Sequence, residues 1–163
     1  MDTGGPDQYQ ATQSVRMQRR AEGPSGPDRR VRRRVIKRKD PARMLVLLVD
    51  DESFMLQIYQ ILLHRVFKAR VMTAMNGDDA LRRAAAVRPS LVISDVNHPG
   101  LDGLELAREL RRLYSRLPVL LISGAMSGAI QAKAMEAGAT GCLSKPFTTD
   151  EFLRLVRRVL QRK

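Results

Sequence analysis

The chain has 163 residues and a formal net charge of +12, and 44% of its residues are hydrophobic. This length and composition indicate one globular domain with room for a tail, and they exclude a wholly disordered chain. No apolar run approaches the ~20 residues of a membrane span. No apolar stretch follows the amino terminus, so we expect neither a span nor a secretory signal. The single cysteine, Cys142, excludes an internal disulfide and a cysteine metal site, and it favours a cytoplasmic location.

The amino-terminal quarter of the sequence differs in composition from the remainder. Residues 1–43 contain 12 Lys or Arg against five Asp or Glu, and they are rich in Gly, Pro, Gln and Ser. Such a segment buries too little apolar surface to offset its ordering entropy, so we predict a disordered basic arm at 1–43 and a folded domain at 44–163. The basic run 29–39 could bind nucleic acid or an acidic membrane surface, or it could be a solvated tail. No zinc-finger or helix-turn-helix pattern follows it.

The remainder of the chain alternates apolar strand patterns with helical patterns, five times over. Strands that read as continuous apolar runs, each followed by a helix, are typical of a parallel sheet covered on both faces. The predicted fold class is therefore α/β, with a doubly wound five-stranded parallel sheet and five helices. We expect strands over 44–49, 69–74, 91–94, 119–122 and 140–144, and helices over 53–66, 78–87, 104–114, 127–137 and 149–160.

Apolar spacing within the predicted helices suggests which residues meet the core. The helical period of the first helix rests on Phe54, Met55, Ile58, Ile61, Leu62 and Val66. One face of the third helix carries Leu104, Ala107, Leu110 and Leu113. The methionines, including Met55, Met72, Met75, Met126 and Met135, are interpreted as core filling. Thr149 or Asp150 is expected to cap the last helix.

Polar residues follow four of the five predicted strands. The first strand ends in Asp50 and Asp51, the third in Asp95, the fourth in Ser123 and the fifth in Lys145. Because ligands bind at the carboxyl ends of the strands in open α/β sheets, we expect these five side chains to share one edge of the sheet.

Three carboxylates at one edge need a counter-charge. Two carboxylates about 4 Å apart repel by about 4 kcal/mol at an effective dielectric near 20, and one lysine does not neutralise three acids. Oxygen ligands with open positions suit Mg²⁺, which is usually completed by a phosphate. Lys145 and the Ser123 hydroxyl would bind the remaining phosphate oxygens, and an aspartate beside Mg²⁺ is well placed to attack phosphorus.

Each of these residues also has a simpler interpretation. Asp95 alone would be a solvated loop acid, Asp50 or Ser53 could cap the first helix, and Ser123 alone would be a loop hydroxyl. Their combination at successive strand ends favours the metal and phosphate site. His98 lies in the loop after Asp95, where a catalytic role is conceivable.

Taken in this order and on these elements, the motifs resemble the receiver domain of two-component response regulators over residues 44–163. The matching segments are the acidic pair in Val49-Asp50-Asp51-Glu52, the acceptor strand Ile93-Ser94-Asp95, the loop Asn97-His98-Pro99-Gly100-Leu101-Asp102-Gly103, the strand end Ile122-Ser123-Gly124 and the turn Ser144-Lys145-Pro146-Phe147.

This resemblance implies a flavodoxin-like receiver fold and a single-domain response regulator. Asp95 would accept a phosphoryl group from a sensor histidine kinase or a histidine phosphotransfer protein. Ser123 and Lys145 would bind that phosphoryl group. Mg²⁺ would have four ligands, which are Asp50, Asp51, Asp95 and the backbone carbonyl of Asn97.

The resemblance also limits the expected activity and suggests an output. Only Mg²⁺-dependent self-phosphorylation and autodephosphorylation are expected, and no other enzymatic reaction. The output would be altered binding of a downstream protein target on the face formed by the fourth helix, the fifth strand and the fifth helix. The alternative is a nucleic-acid-binding regulator, in which the basic arm with residues 29–39 is the effector and the receiver gates it.

Two positions depart from the family's usual pattern. Family members usually carry an aromatic residue three positions before the lysine, and here that position is Cys142. We interpret Cys142 as a small buried strand residue, so the usual inward swing of an aromatic ring is not expected. The residue before the loop proline is commonly a methionine in the family, and here it is His98. The family pattern further suggests a cis bond before Pro146.

Overall fold

A computed structural model of the chain describes residues 44–161. The predicted basic arm, with its run 29–39, lies outside the described residues, so the domain boundary at 43/44 stays a prediction. No helix within residues 44–161 is long and apolar enough to cross a membrane.

Five strands and five helices alternate along the described chain, as the sequence pattern predicts. The strands are β1 (Leu45–Val49), β2 (Arg70–Ala74), β3 (Leu91–Asp95), β4 (Val119–Ser123) and β5 (Gly141–Ser144). The helices are α1 (Ser53–Phe67), α2 (Gly77–Ala86), α3 (Gly103–Leu113), α4 (Gly128–Glu136) and α5 (Thr149–Gln161).

Side-chain caps fix where several helices begin. Asp102 accepts a hydrogen bond from the backbone N–H of Glu105, whose side chain bonds back to Asp102, and this capping box starts α3. Ser127 caps α4 through the backbone N–H of Ile130. The cap predicted for α5 at Thr149 or Asp150 is wrong. Thr148 accepts from the backbone N–H of Glu151, and the Glu151 carboxylate accepts from Thr148 in return.

All strand pairs are parallel, in the order β2-β1-β3-β4-β5. Asp95 lies opposite Ile122 on β4, and Ser123 lies opposite Ser144 on β5. We call the edge at which the strands end the carboxyl edge, with Asp50, Asp95, Ser123 and Lys145. The edge at which the strands begin is the amino edge, and the helices end there.

Hydrophobic side chains of the strands alternate between two cores, one on each face of the sheet. One core joins Leu47, Val92 and Leu121 to buried residues of α2, α3 and α4. The other joins Leu48 and Ile93 to buried residues of α1 and α5. The fold is therefore the doubly wound α/β sheet that the sequence predicts.

The buried face of α1 differs from the face suggested by the apolar spacing. Its buried residues are Leu56, Tyr59 and Leu63, whereas Phe54, Ile61 and Val66 are 69%, 55% and 40% exposed. Apolar residues surround almost the whole circumference of this helix, so the spacing alone does not select one stripe.

Three further residues with apolar side chains were also assigned wrongly to the interior. Met75, Leu113 and Met135 are each about half exposed. Met75 follows β2, Leu113 ends α3, and Met135 lies in the last turn of α4. At such element ends a neighbouring element no longer covers every side chain.

Candidate functional site

Two buried aspartates end the adjacent strands β1 and β3. Asp50 is 3% exposed and Asp95 is 8% exposed. The Oδ1 atom of each accepts a backbone N–H two residues further on, from Glu52 for Asp50 and from Asn97 for Asp95, at 2.9 Å in both cases. This identical turn geometry leaves the Oδ2 atom of each carboxylate free for another partner.

Both free carboxylate oxygens meet the same lysine. The Nζ atom of Lys145 hydrogen-bonds Asp95 Oδ2 and lies 3.5 Å from Asp50 Oδ2. Lys145 follows β5, and its backbone N–H donates to the carbonyl of Ser123 at 2.8 Å. Because β4 separates β5 from β3, the lysine side chain spans the end of β4 to reach the acids. The structure therefore brings together three of the residues predicted for the site.

Burial and charge act in opposite directions on this ion pair. Burial raises the pKa of Asp50, although the Glu52 N–H and the Lys145 charge oppose that shift. Burial by itself lowers the pKa of Lys145, but the hydrogen bond to Asp95 and the charges of Asp50 and Asp95 outweigh it, and the pKa of Lys145 is raised. Lys145 is therefore held as a cation between two acids.

Ser123 is fully buried at the end of β4. Its Oγ accepts the backbone N–H of Ala125 at 3.1 Å, so the hydroxyl proton remains available to a ligand. Ser123 stands one residue beyond the position opposite Asp95 on the neighbouring strand. Its place at the carboxyl edge is as predicted.

The predicted third carboxylate is not part of the buried pair. Asp51 and Asn97 both face solvent. Among residues 44–161, no group of three or more acidic, histidine or cysteine side chains lies close enough to hold a metal ion. The oxygen donors still fit a hard cation such as Mg²⁺. Oxygens of Asp50 and Asp95 converge on the positive charge of Lys145, and Asp51 lies at the same edge of the sheet. Asp50, Asp51, Asp95 and the Asn97 carbonyl are the residues that would hold Mg²⁺.

An aromatic layer beneath Lys145 was not found from the sequence. The rings of Tyr59, Phe147 and Phe152 stack with centroid separations between 5.0 and 6.2 Å. The Tyr59 hydroxyl is buried and has no hydrogen-bond partner within the described chain. Burial raises the pKa of Tyr59 to about 12, and the Lys145 charge works against that shift. Tyr59 lies three residues after Leu56 on α1, and this helical spacing was the available indication in the sequence that the two side chains share a buried face.

The loop after Asp95 is tied back to β3. Ser94 Oγ donates to the carbonyl of Asp95 at 2.7 Å and lies 3.0 Å from Nε2 of His98. Because a hydroxyl has one proton, the His98 ring is the donor in the second contact. This hydrogen bond connects His98 to the Ser94 side chain on β3, and it does not involve the Asp95 carboxylate. At Gly103, an added Cβ would lie 2.4 Å from the Asp95 carbonyl oxygen, so the loop requires a glycine there.

Two predictions taken from the family pattern concern β5 and the turn that follows it. The peptide bond between Lys145 and Pro146 is cis, as expected. Cys142 is half-buried opposite Leu121 and packs against the core on one face of the sheet. It is a strand residue as predicted, but it is only half-buried, because β5 is the outermost strand of the sheet.

Comparisons with known proteins agree with this geometry. The family model for the response regulator receiver domain matches residues 46–157. The transcriptional regulatory protein PrrA of Mycobacterium tuberculosis is 36% identical over 118 residues, which cover 72% of this chain and 50% of PrrA. The C4-dicarboxylate transport transcriptional regulatory protein DctD of Pseudomonas aeruginosa is 36% identical over 123 residues, covering 74% of this chain and 26% of DctD. The chain thus spans half or less of these relatives.

Solved structures show the same fold. The chemotaxis protein CheY4 of Vibrio cholerae superposes with a TM-score of 0.67 at 33% identity, covering 71% of this chain and 98% of CheY4. A response regulator receiver domain protein of Clostridium thermocellum superposes with a TM-score of 0.67 at 27% identity, covering 73% of this chain and 95% of its own. The predicted receiver fold and the family resemblance are confirmed.

Proposed function

Because the chain belongs to the family of response regulator receiver domains, we propose that it receives a phosphoryl group on Asp95 in a two-component phosphorelay. The donor would be the phosphohistidine of a sensor histidine kinase or of a histidine phosphotransfer protein. The observation that carries this proposal is the pair of buried carboxylates, Asp50 and Asp95, whose free Oδ2 atoms share the Lys145 ammonium. A purely structural ion pair does not require a second buried acid at the same cation.

The transfer itself needs a nucleophile and a way to accommodate charge. The Asp95 oxygen that faces Lys145 attacks the phosphorus, an O–P bond forms, and the P–N bond of the phosphohistidine breaks. The leaving imidazole nitrogen keeps the electron pair, and the ring departs as neutral imidazole because its other nitrogen carries a proton. Mg²⁺ at Asp50, Asp51, Asp95 and the Asn97 carbonyl would supply positive charge against the phosphoryl oxygens.

Lys145 and Ser123 would then bind the new phosphoryl group. Lys145 contacts the acceptor oxygen before transfer. Its ammonium group can then bind an oxygen of the phosphoryl group attached there. The Ser123 hydroxyl is already oriented by the Ala125 N–H and keeps a proton to donate. Both residues stand at the ends of β4 and β5, next to α4 and α5. A shift there would change the α4-β5-α5 surface, which we propose as the binding face for a downstream protein in the cytoplasm.

Intact mass after incubation with Mg²⁺ and acetyl phosphate tests the proposal. We expect the wild-type chain to gain one phosphoryl group and Asp95→Asn to gain none, because the amide keeps the Asn97 contact but is not a nucleophile. The control Asp150→Asn removes one exposed carboxylate from the first turn of α5 and should label like the wild type. Labelling of Asp95→Asn to the wild-type level would refute Asp95 as the acceptor.

The metal requirement is tested in the same assay. Omission of Mg²⁺ or addition of EDTA should abolish labelling of the wild type. Asp51→Asn should need a much higher Mg²⁺ concentration for the same gain, because one ligand charge is lost. Labelling that is independent of Mg²⁺ in both proteins would contradict the metal site while leaving Asp95 as the acceptor.

A further inference from the structure

Five cations lie at the end of α1 or at the starts of β2, β3 and β4, at the opposite end of the sheet from Asp95. Arg70 begins β2, Arg88 lies in the loop between α2 and β3, and Arg116 lies in the turn before β4. Arg65 and Lys68 lie at the end of α1, beside the start of β2. All five side chains are exposed.

None of these five side chains has an acidic partner within the described chain, a property that they share with other exposed cations such as Arg108 and Arg154. Among residues 44–161, none of them lies within 4.0 Å of a carboxylate, whereas Arg82 and Arg83 pair with Asp79, and Arg112 pairs with Glu109. The acids of the domain are mostly at the other end, in the loops and first helical turns of the carboxyl edge. The positive field of the amino edge is therefore not cancelled locally.

Two cavities open at this same edge, and basic side chains line both. One, of about 490 Å³, is lined by His64, Arg65, Lys68 and Arg70 together with backbone and apolar groups. The second, of about 290 Å³, lies between the turns that lead into β3 and β4. No acidic residue lines either cavity.

The second cavity has the groups that a phosphate oxygen would contact. Its lining includes Arg88, Ser90 and Arg116. The Arg88 guanidinium is held over the Tyr114 ring, 5.0 Å from the ring centroid, so less side-chain entropy is lost when it binds an anion. Ser90 Oγ accepts the Leu45 N–H and keeps its own proton for a ligand.

We propose that the amino edge binds the phosphate backbone of a nucleic acid, without base-specific contacts. Arg70 begins β2, while Arg88 and Arg116 lie in the turns that lead into β3 and β4, and β2 and β4 are about 14 Å apart at the usual strand spacing. One nucleic-acid strand carries a charge about every 3.4 Å of helix axis, so the row matches about four phosphates. Arginine is suited to such contacts because its guanidinium binds phosphate oxygens in pairs.

The edge fits a nucleic acid better than it fits a membrane surface. Helices that lie on membranes insert Trp, Phe or Leu side chains between the lipids. The most exposed aromatic ring of the described chain, Phe54, lies at the start of α1 on the carboxyl edge. At the amino edge, Phe67 and Tyr114 are partly buried beneath Arg157 and Arg88. The exposed apolar residues there, Val66, Val87 and Leu113, belong to the ends of three different helices. No exposed aromatic platform for stacking on bases is present among residues 44–161 at this edge, which favours backbone contacts alone.

Fluorescence anisotropy with a labelled 30-base-pair DNA duplex tests the proposal on the full chain. The edge variant Arg70→Gln/Arg88→Gln/Arg116→Gln is compared with a control of equal net charge, Arg82→Gln/Arg108→Gln/Arg154→Gln, whose exposed arginines lie on helices α2, α3 and α5. Each lost phosphate contact changes the slope of log affinity against log salt by about 0.9, so the edge variant should lose about 2 to 3 from that slope. We expect its affinity at 50 mM salt to fall about tenfold or more, and the control to change less than threefold.

The equal charge of the two variants separates the edge from the basic run 29–39. If that run alone bound the duplex, both variants would lose affinity equally, and the proposal would be overturned. Failure of the wild type to bind at 50 mM salt would overturn it as well. So would edge-dependent binding to phosphatidylserine vesicles without DNA binding. Thermal unfolding of both variants checks that each is folded, and Asp95→Asn should bind DNA as the wild type does, so failure of the phosphorylation proposal stays distinguishable.

Discussion

The two edges of the sheet carry opposite charge, but they hold it in different ways. At the carboxyl edge, Asp50 and Asp95 are buried, and a single ammonium from Lys145 is shared between them. At the amino edge, Arg70, Arg88 and Arg116 are exposed and have no carboxylate within 4.0 Å among residues 44–161. The negative charge of the carboxyl edge is thus largely buried. The positive charge of the amino edge is fully exposed to water.

This difference follows from how parallel β-α units are built. Every helix begins near the carboxyl edge and ends near the amino edge, so acids in the first turn and bases in the last turn are both favoured by the helix dipole. Asp78 and Asp79 open α2, and Arg111 and Arg112 close α3. Burial then decides the consequence. Buried like charges require a counter-ion, while exposed ones are screened and are tolerated at little cost.

The largest expected difference between the edges concerns removal of a cation. Lys145→Gln leaves two buried carboxylates without their shared charge, and we expect the free energy of unfolding to fall by about 2 kcal/mol at pH 7. That is below the range for a fully buried pair, because the Lys145 side chain is 23% exposed. Arg116→Gln removes the same charge at the amino edge and should change stability by less than about 0.5 kcal/mol. Urea unfolding of both variants measures this, and equal losses would show that burial does not distinguish the edges.

A smaller effect of opposite sign is expected for an acid of the carboxyl edge. The pKa of Asp50 is raised above its ordinary value of 3.8, mainly by burial. Between the two values the folded state binds more protons than the unfolded state, so stability falls as pH rises through that window. Asp50→Asn should therefore stabilise the chain by about 1 kcal/mol at pH 7, and this gain should shrink toward pH 4.

Unfolding at both pH values with Asp150→Asn as the control checks that effect. The Asp150 side chain is exposed in the first turn of α5, so its neutralisation should cost a few tenths of a kcal/mol at pH 7 through the helix dipole. If Asp50→Asn destabilises the chain at pH 7, the Asp50 contacts with Glu52 and Lys145 outweigh the burial of its charge.

The smallest effect compares two tyrosines, one near each edge. The Tyr59 hydroxyl is buried without a partner, so Tyr59→Phe removes an unpaired polar group and should leave stability unchanged or raise it by up to about 1 kcal/mol. The Tyr114 hydroxyl donates to the Ala84 carbonyl at 3.2 Å, so Tyr114→Phe should cost about 1 kcal/mol. Thermal unfolding of the two variants gives the comparison, and a loss for Tyr59→Phe as large as that for Tyr114→Phe would reveal a partner for the Tyr59 hydroxyl.

Much of the fold could be predicted because parallel sheets leave a strong signal. Continuous apolar runs mark the strands, and turn residues such as Pro89 and Gly138 mark the ends of helices. The buried face of α1 could not be predicted, since Phe54 and Ile61 are as apolar as Leu56 and Leu63, which are buried. The packing of α1 against both the sheet and α5 decides which of them is covered.

The candidate site was predicted as a set of residues, and the structure adds their orientation. Asp50, Asp95 and Lys145 meet because strand ends share an edge, which topology alone requires. Asp51 follows Asp50 directly, and its turn directs it to solvent, which a one-residue spacing does not reveal. Tyr59 was not predicted as part of the site, because its ring is treated as an apolar residue in a hydrophobic pattern. Its hydroxyl nevertheless lies within electrostatic reach of Lys145.

Cys142 has a practical consequence for spectroscopy. It is the only thiol in the chain, it lies on the edge strand β5, and burial raises its pKa. A half-buried, protonated thiol reacts slowly with alkylating reagents while β5 stays paired with β4. Any movement that frees β5 from β4 would speed its modification, and a fluorine label placed there would sense the same movement as a change in chemical shift. The native sequence therefore already contains one specific attachment point for a conformational probe, three residues from the lysine whose contacts define the site.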